Sequence, residues 1–357
     1  MGISIDVTPS LDPGEWSDLL ENSSDATVFH TYEWLTVLRE TFPAFGKQIF
    51  VTARDRSGQL LAGIPMVLQR YGRLGLSLTS LPLCEYGGTI IRNSADEALR
   101  SQMLVALCRF AKGWSNSRFL HFIVVDFFSK HEHLTSLGFA RRSAFAFRLE
   151  LDPSLEKILM NRVNKKTRSQ IRQAIRNGVS VKEVSTTSEI KTLSEIFEHT
   201  ARRHGTIPEP ENYITNIFRF LVRNGIAKYL VAYHSEVPIA CALELLYKDW
   251  VYYAAGASYE KYWILRPNNL LIWRIIEDGV KNGCKNLNFG SVGPEQHGLA
   301  RFKENWGANR FYYSIYEKDS LELRTVSSIW RNVKRLMGAP RFVSMRLAVV
   351  PRSIRIQ

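Results

Sequence analysis

The chain runs to 357 residues, with 47 Lys and Arg against 34 Asp and Glu and a formal net charge of +13. Its hydrophobic fraction of 45%, including 19 Phe, 14 Tyr and 8 Trp, excludes wholesale disorder and suffices for two packed domains. The positive excess points to an anionic partner: nucleic acid, a phosphate-bearing metabolite or a membrane surface.

Residues 1–30 read as loop and short helices and carry six acids, so no secretory leader is expected. Thr31–Thr41 is the first clear helix, with Trp34, Leu35 and Leu38 on one face. Gln48–Ala53 and Leu60–Leu68 read as a hairpin closed by the turn chemistry of Arg54-Asp55-Arg56-Ser57-Gly58. Leu81-Pro82 and Glu85-Tyr86-Gly87-Gly88 form a loop, Ala95–Trp114 a helix, and Phe119–Val125 a buried strand. A short helix over His131–Leu137 and a strand over Phe139–Leu149 end the first half. The second half opens with one long amphipathic helix, Asp152–Asn177, stopped by Gly178. Helices over Ser188–His204 and Pro210–Asn224 follow. Then come a hairpin of Ala227–Tyr233 with Ile239–Leu246, and a third strand over Trp250–Ala255. A helix over Asn268–Asn282, a strand over Asn286–Gly290, a helix over Leu299–Asn305 and a strand over Arg310–Glu317 complete the order.

No run approaches the ~18 apolar residues of a membrane span. The four cysteines, Cys84, Cys108, Cys241 and Cys284, form no C-x-x-C and read as reduced thiols. His131 and His133 lack companions at ligand spacing, so no metal site is expected. The charge is concentrated. Residues 157–182 carry eight cations and no acid, and so do residues 323–357, which leaves the remainder at −3. A near-neutral body thus carries two basic attachments. In the tail, Ile329, Trp330, Val333 and Leu336 share a stripe opposite Arg331, Lys334 and Arg335. That pattern fits either a helix on an anionic membrane surface or a docked helix with solvated cations.

The two halves repeat one order of elements. VTARDRSGQLLAG at 51–63 has the shape of VAYHSEVPIACA at 231–242, and LGFARRSAFAFRLEL at 137–151 sits like WGANRFYYSIYE at 306–317. Duplication of an α/β unit is the economical reading. It divides the chain into 1–151, 152–320 with a basic linker helix over 152–177, and the tail 321–357.

This order resembles the GNAT acyltransferase fold, in which two neighbouring strands splay apart and the gap holds the acyl donor. Two tandem copies resemble the Fem family, which builds peptidoglycan cross-bridges by aminoacyl transfer, and its Gram-negative acetyltransferase-like relatives. Four segments carry the likeness: HTYEWLTVLRETF at 30–42, NKKTRSQIRQAIRNGVSV at 164–181, PNNLLIWRIIEDGVKNGCKNLNFG at 267–290 and GLARFKENWGA at 298–308. In the last, Phe302, Lys303 and Gly307 match the family's Phe-Lys-x-x-Phe-Gly, with Trp306 where Phe is usual. The resemblance implies an α/β protein of two tandem GNAT-like domains, each a mixed central sheet flanked by helices. It also implies a bacterial, cytoplasmic acyltransferase of cell-envelope biogenesis, peripheral to the membrane. Its donor would be aminoacyl-tRNA or acyl-CoA, with no resident cofactor, and its acceptor the primary amine of a nucleotide- or lipid-linked envelope precursor.

The resemblance places catalysis at Lys303, with Phe302 packing the site. A cation there would stabilise the oxyanion of acyl transfer. On residues alone, a lysine between Arg301 and Glu304 reads as a solvated helix residue. Lys166, Arg168 and Arg172 on the acid-free helix are candidate phosphate contacts, the last two at i and i+4. Coenzyme A enzymes place a glycine-rich loop before the main helix for the pyrophosphate. Here Trp263-Ile264-Leu265-Arg266-Pro267-Asn268-Asn269 has no glycine. Its first-half counterpart, Gln69 to Gly75, has Leu74 where a small residue is needed. This argues for an aminoacyl-tRNA donor. Arg266 and Asn268 are candidate contacts, Asn268 equally a helix cap. Trp34 and Tyr86 either line an acceptor cleft or belong to the core. Two further readings stand beside aminoacyl transfer: an acyl-CoA enzyme acting on a polysaccharide or lipid sugar amine, and a non-catalytic tRNA- or membrane-binding protein.

Overall fold

The structure, a computed structural model, describes residues 3–42, 47–71, 75–84, 86–114, 120–126, 131–293, 295–321 and 323–325. The basic stripe expected in the C-terminal tail lies outside these residues, as does Leu74.

In chain order, the first half contains β1 (Ser4–Thr8), α1 (Pro13–Glu21), α2 (Tyr32–Thr41), β2 (Lys47–Arg54), β3 (Leu60–Tyr71), β4 (Gly75–Thr79), β5 (Ile90–Ile91), α3 (Ala98–Trp114), β6 (Leu120–Asp126) and β7 (Ala140–Glu150). The second contains α4 (Leu155–Lys157), α5 (Lys165–Arg176), β8 (Val179–Glu183), α6 (Ile190–Arg203), α7 (Glu211–Ile217), β9 (Ala227–His234), β10 (Val237–Tyr247), β11 (Trp250–Ser258), α8 (Pro267–Lys281), β12 (Asn286–Ser291), α9 (His297–Glu304) and β13 (Asn309–Asp319). The described chain forms two compact units, residues 3–144 with 313–325, and Phe145–Tyr312. Their boundaries fall inside β7 and β13.

In the first unit the strands run β1-β2-β3-β4-β6-β13, antiparallel except for the parallel pair β4–β6. In the second they run β8-β9-β10-β11-β12-β7, antiparallel except for β11–β12. The ladder is the same in both, as duplication requires. The last strand is exchanged: β7, from the first half, closes the second sheet, and β13 closes the first. Ile64, Met66, Leu99, Met103 and Val124 lie in one core; Leu230, Ala242, Ile272, Ile276 and Leu287 lie in the other.

Two expectations are corrected, and one further strand appears. Ser4–Thr8 is a strand rather than loop, paired with β2 from Ser4↔Arg54 to Thr8↔Phe50. Val179–Glu183, to which the sequence assigned no element, is an edge strand, β8. The long helix over 152–177 is broken: α4 passes into a π-turn over Ile158–Arg162, Val163 is extended, and α5 starts afresh. The break has a side-chain cause. Asn164 takes extended backbone and its Oδ1 accepts from Thr167 N at 2.8 Å, which caps a new helix.

Candidate active site

In the second unit the parallel ladder stops early. β11 and β12 pair from Trp250↔Asn286 to Tyr252↔Asn288 and then separate, although β11 continues to Ser258 and β12 to Ser291. Tyr253 on one side and Phe289 on the other begin the unpaired stretch, their rings 6.4 Å apart. Burial holds the Tyr253 phenol above its ordinary range, so it stays a neutral hydroxyl. β12 also shifts register against β7 between Asn288 and Ser291, and Gly290 takes φ 78°.

Lys303 meets this free strand end. Its side chain is 1% exposed. Nζ donates to Gly290 O at 3.0 Å and to Ser291 O at 3.1 Å, and stands 5.8 Å from the Phe147 ring centroid. The solvated reading of this lysine is therefore replaced. An ammonium taken out of water costs several kcal/mol unless it is hydrogen bonded, and here carbonyl oxygens receive it. The spacing carried a signal: Ala300, Lys303 and Trp306 recur every third residue, and all three are buried.

Phe302, half-buried, packs against the core of the second unit and also lines a cavity of about 460 Å³. Asn164, Lys166 and Gln170 of the α5 side line it, with Arg301, Phe302 and Asn305 of the α9 side. The walls are tied together. Asn164 Nδ2 donates to Asn305 Oδ1 at 2.7 Å, and Asn164 N to Asn305 O at 3.0 Å. Gly307 completes this junction. It takes φ 82°, and a Cβ there would lie 2.5 Å from Arg162 O.

The other basic residues separate. Arg168 Nη1 donates to Met160 O at 2.7 Å and Leu159 O at 3.2 Å, closing the π-turn. It is thus bound to its own backbone, whereas Arg172 is exposed. Before α8 there is a 3-10 turn, Glu260–Leu265, in place of a glycine loop. Arg266 follows at φ 61°, ψ 40°, and its Nε lies 3.4 Å from Gln173 Oε1. Asn268 is not the cap; Arg266 holds that place, and Asn268 Nδ2 donates to Ser258 Oγ at 3.2 Å, at the end of β11. Asn269, which sequence reasoning missed, is buried and donates to Gln170 Oε1 at 3.3 Å.

Trp34 and Tyr86 sit in the first unit, 2% and 1% exposed, each beside Phe29 with centroids 5.0 and 5.5 Å away. There the corresponding gap is filled by the unit's own chain. β4 pairs with β6 as far as Thr79↔Ile123. Beyond it Ser80 N donates to Ile123 O at 2.9 Å, Val125 N to Ser80 Oγ at 3.1 Å and Gly87 N to Val125 O at 3.3 Å. A small cavity of about 10 Å³ remains, lined by His30, Tyr86, Arg100, Asp126 and His131, room for about one water. Burial pushes His30 down to about 4. Among the described residues no three His, Cys, Asp or Glu side chains come together as a metal site.

The splayed parallel pair, the helix before it and the short helix after it define a class. Residues 165–304 match the family described as the acetyltransferase (GNAT) domain. The second unit thus contains a GNAT-type acyltransferase domain. About nine tenths of the chain is similar to solved structures. FemX superimposes with TM-score 0.70 at 13% identity, covering 92% of this chain and 99% of that one. The C-terminal domain of a putative lysylphosphatidylglycerol synthetase from Agrobacterium fabrum gives 0.58 at 11%, covering 92% and 98%. A tandem GNAT protein from the clavulanic acid biosynthesis pathway gives 0.55 at 11%, covering 89% and 99%. The fold is therefore the Fem-like tandem GNAT arrangement. No curated protein is similar to the chain in sequence.

Proposed function

We propose that the second unit transfers an aminoacyl or acyl group to a primary amine of a cell-envelope precursor, with the donor carbonyl in the gap between β11 and β12. The observation that carries this reading is Lys303, a buried lysine whose Nζ is held at the free end of β12. The amine nitrogen attacks the donor carbonyl carbon and a tetrahedral oxyanion forms. The positive charge of Lys303 stabilises that oxygen as its charge develops. The bond to the leaving oxygen or sulfur then breaks, and the leaving group takes the proton that the amine gives up. Phe302 and Trp306 pack the helix that carries the lysine. Aminoacyl-tRNA is the donor favoured here, because Arg266 and a 3-10 turn stand where a glycine loop would hold a pyrophosphate. Lys166, Arg172 and Arg266 are the proposed phosphate contacts. The first unit, whose gap its own chain fills, is left to acceptor binding, with Trp34 and Tyr86 shaping its interior.

Acyl-CoA transfer to a polysaccharide or lipid-linked sugar amine is the second reading, favoured by the match of residues 165–304 to an acetyltransferase domain. The site of action is the cytoplasmic face of the membrane, where envelope precursors are assembled. A thermal-shift panel of coenzyme A, aminoacyl-tRNA and nucleotide-linked precursors separates the readings. The main reading expects a shift with aminoacyl-tRNA and with a precursor. A shift with coenzyme A alone would replace it with the second.

A further inference from the structure

The cations of the acid-free stretch 157–182 fall into two groups. Some are paired: Lys157 meets Asp152 at 3.9 Å, Arg162 meets Glu150 at 3.8 Å and Lys182 meets Glu236 at 3.1 Å. Arg168 is spent on the π-turn. Lys165, Arg172 and Arg176, all exposed on α5, have no carboxylate partner among the described residues. At about 100° per residue these three lie within about 40° of one another around the helix, opposite the buried Thr167, Ile171 and Ala174. The outer row of α5 therefore presents positive charge that no acid of the helix offsets.

Apolar side chains flank that row on both sides. Ile175 is 58% exposed, and Met160, whose carbonyl Arg168 holds against α5, is 54% exposed. Gln173 leaves the helix on the side opposite Ile175. Its Nε2 donates to Ile264 O at 3.3 Å, which brings the 3-10 turn Glu260–Leu265 against α5. In that turn Ile264 is 66% exposed and Trp263 44%. Trp263 is held in place: Nε1 donates to Ser258 Oγ at 2.9 Å, and Arg203 stands 4.9 Å from the ring centroid. A group of exposed large apolar side chains edged by charge marks an interaction surface. Aliphatic tips have no partner on a phosphate backbone, which is met by cations, hydroxyls and amides. A bilayer uses all three kinds present here: Trp sits at the headgroup level, aliphatic tips enter the acyl boundary, and Lys and Arg meet anionic headgroups.

We propose that the outer row of α5 and the turn before α8 form a docking surface for an anionic membrane leaflet, in which Lys165 and Arg176 meet lipid phosphates and Met160, Ile175, Trp263 and Ile264 enter the headgroup–acyl boundary. Arg172 shares the row but is assigned above to the donor, so it stays unchanged in the variants below. The inference rests on the placement of the reaction at the membrane face, and it locates the contact on the folded second unit, apart from the C-terminal tail.

The test is co-sedimentation of the full chain with vesicles of phosphatidylcholine alone and of phosphatidylcholine mixed with phosphatidylglycerol. The wild type should bind the mixed vesicles far better than the neutral ones, and less well as salt rises. A cation near an anionic leaflet is worth roughly a fivefold change in partitioning, so K165A/R176A should lose about twentyfold. M160S/I175S/I264S removes only apolar contact and should lose about tenfold. The side chains changed are all exposed, and an unchanged melting temperature confirms folding. The control K285A removes a lysine that meets Asp249 and should bind as wild type. Wild-type binding by both patch variants overturns the proposal and leaves the tail as the anchor, and an equal loss in K285A overturns it too. Loss in K165A/R176A with none in M160S/I175S/I264S also overturns it; a parallel loss of transfer-RNA affinity would then assign the row to RNA. If K303M loses transfer to a soluble precursor while the patch variants bind vesicles as wild type, the docking surface falls and the acyl-transfer reading stands. If vesicle binding falls in the patch variants and K303M transfers at the wild-type rate, the converse holds.

Discussion

Arg266 carries a conformation that a β-carbon disfavours. A non-glycine residue in the left-handed region costs on the order of 1 kcal/mol, and glycine adopts it freely. Arg266→Gly should therefore fold at least as stably as the wild type, with the melting temperature unchanged or raised by a few degrees. If its guanidinium contacts the donor, the same variant should raise the donor KM several-fold. An unchanged KM removes Arg266 from the site. Gly307 makes the opposite case. Its φ of 82° combines with a backbone oxygen 2.5 Å from any added Cβ, so Gly307→Ala should cost roughly 2–3 kcal/mol. Gly283→Ala, at φ 73° but in open space, should cost about 1 kcal/mol. Urea denaturation of the two variants measures the difference. At this scale the Phe302, Lys303 and Gly307 pattern was legible through resemblance. The burial of Lys303 was hidden by the charges on either side of it, and the backbone role of Arg168 by its membership of an exposed-looking basic run.

The elements that escaped the sequence share a physical reason. β1 and β8 are five-residue edge strands with mostly exposed or half-exposed side chains, so neither shows a clean alternation. The hairpins β2–β3 and β9–β10, by contrast, have apolar strands and marked turns, and both were legible. The break before α5 was missed because the apolar positions continue in helical register through Val163. Only Asn164, a capping residue, signals a restart. Asn164→Ala removes the cap and the bond to Asn305 together. It should lower stability by about 1–2 kcal/mol and open the cavity wall. Asn164→Asp keeps the capping oxygen and should recover most of the loss, as chemical denaturation would read.

At the scale of the whole chain, the +13 resolves into local features of different kinds. In the helix 165–176 one arginine closes a turn, one lysine lines a cavity and the others face solvent. Two buried groups give the units opposite responses to pH. His30, in the first unit, is depressed to about 4 by burial, so below its ordinary 6.5 the unfolded chain binds the proton and the folded one does not. Stability is lost as pH falls from 6.5 toward 4, by up to on the order of 3 kcal/mol. Glu244, buried in the second unit, is raised to about 8, chiefly by burial and then by the nearby Asp278 carboxylate. Its stabilisation is complete below its ordinary 4.5 and is lost as pH rises toward 8. Melting curves from pH 4 to 8 should show a flatter acid limb for His30→Gln and a flatter alkaline limb for Glu244→Gln. Parallel curves for wild type and variants would contradict the assignment.

The central claim is that acyl transfer occurs in the second unit beside a buried lysine. Its most direct test is single-turnover transfer from aminoacyl-tRNA to a nucleotide-linked peptidoglycan precursor by the wild type and by Lys303→Met. Methionine keeps the length of the side chain and removes the charge. The expected result is a fall of roughly 10²–10³-fold in the rate, with the far-UV spectrum unchanged and donor binding retained. Transfer by Lys303→Met at the wild-type rate would contradict the claim.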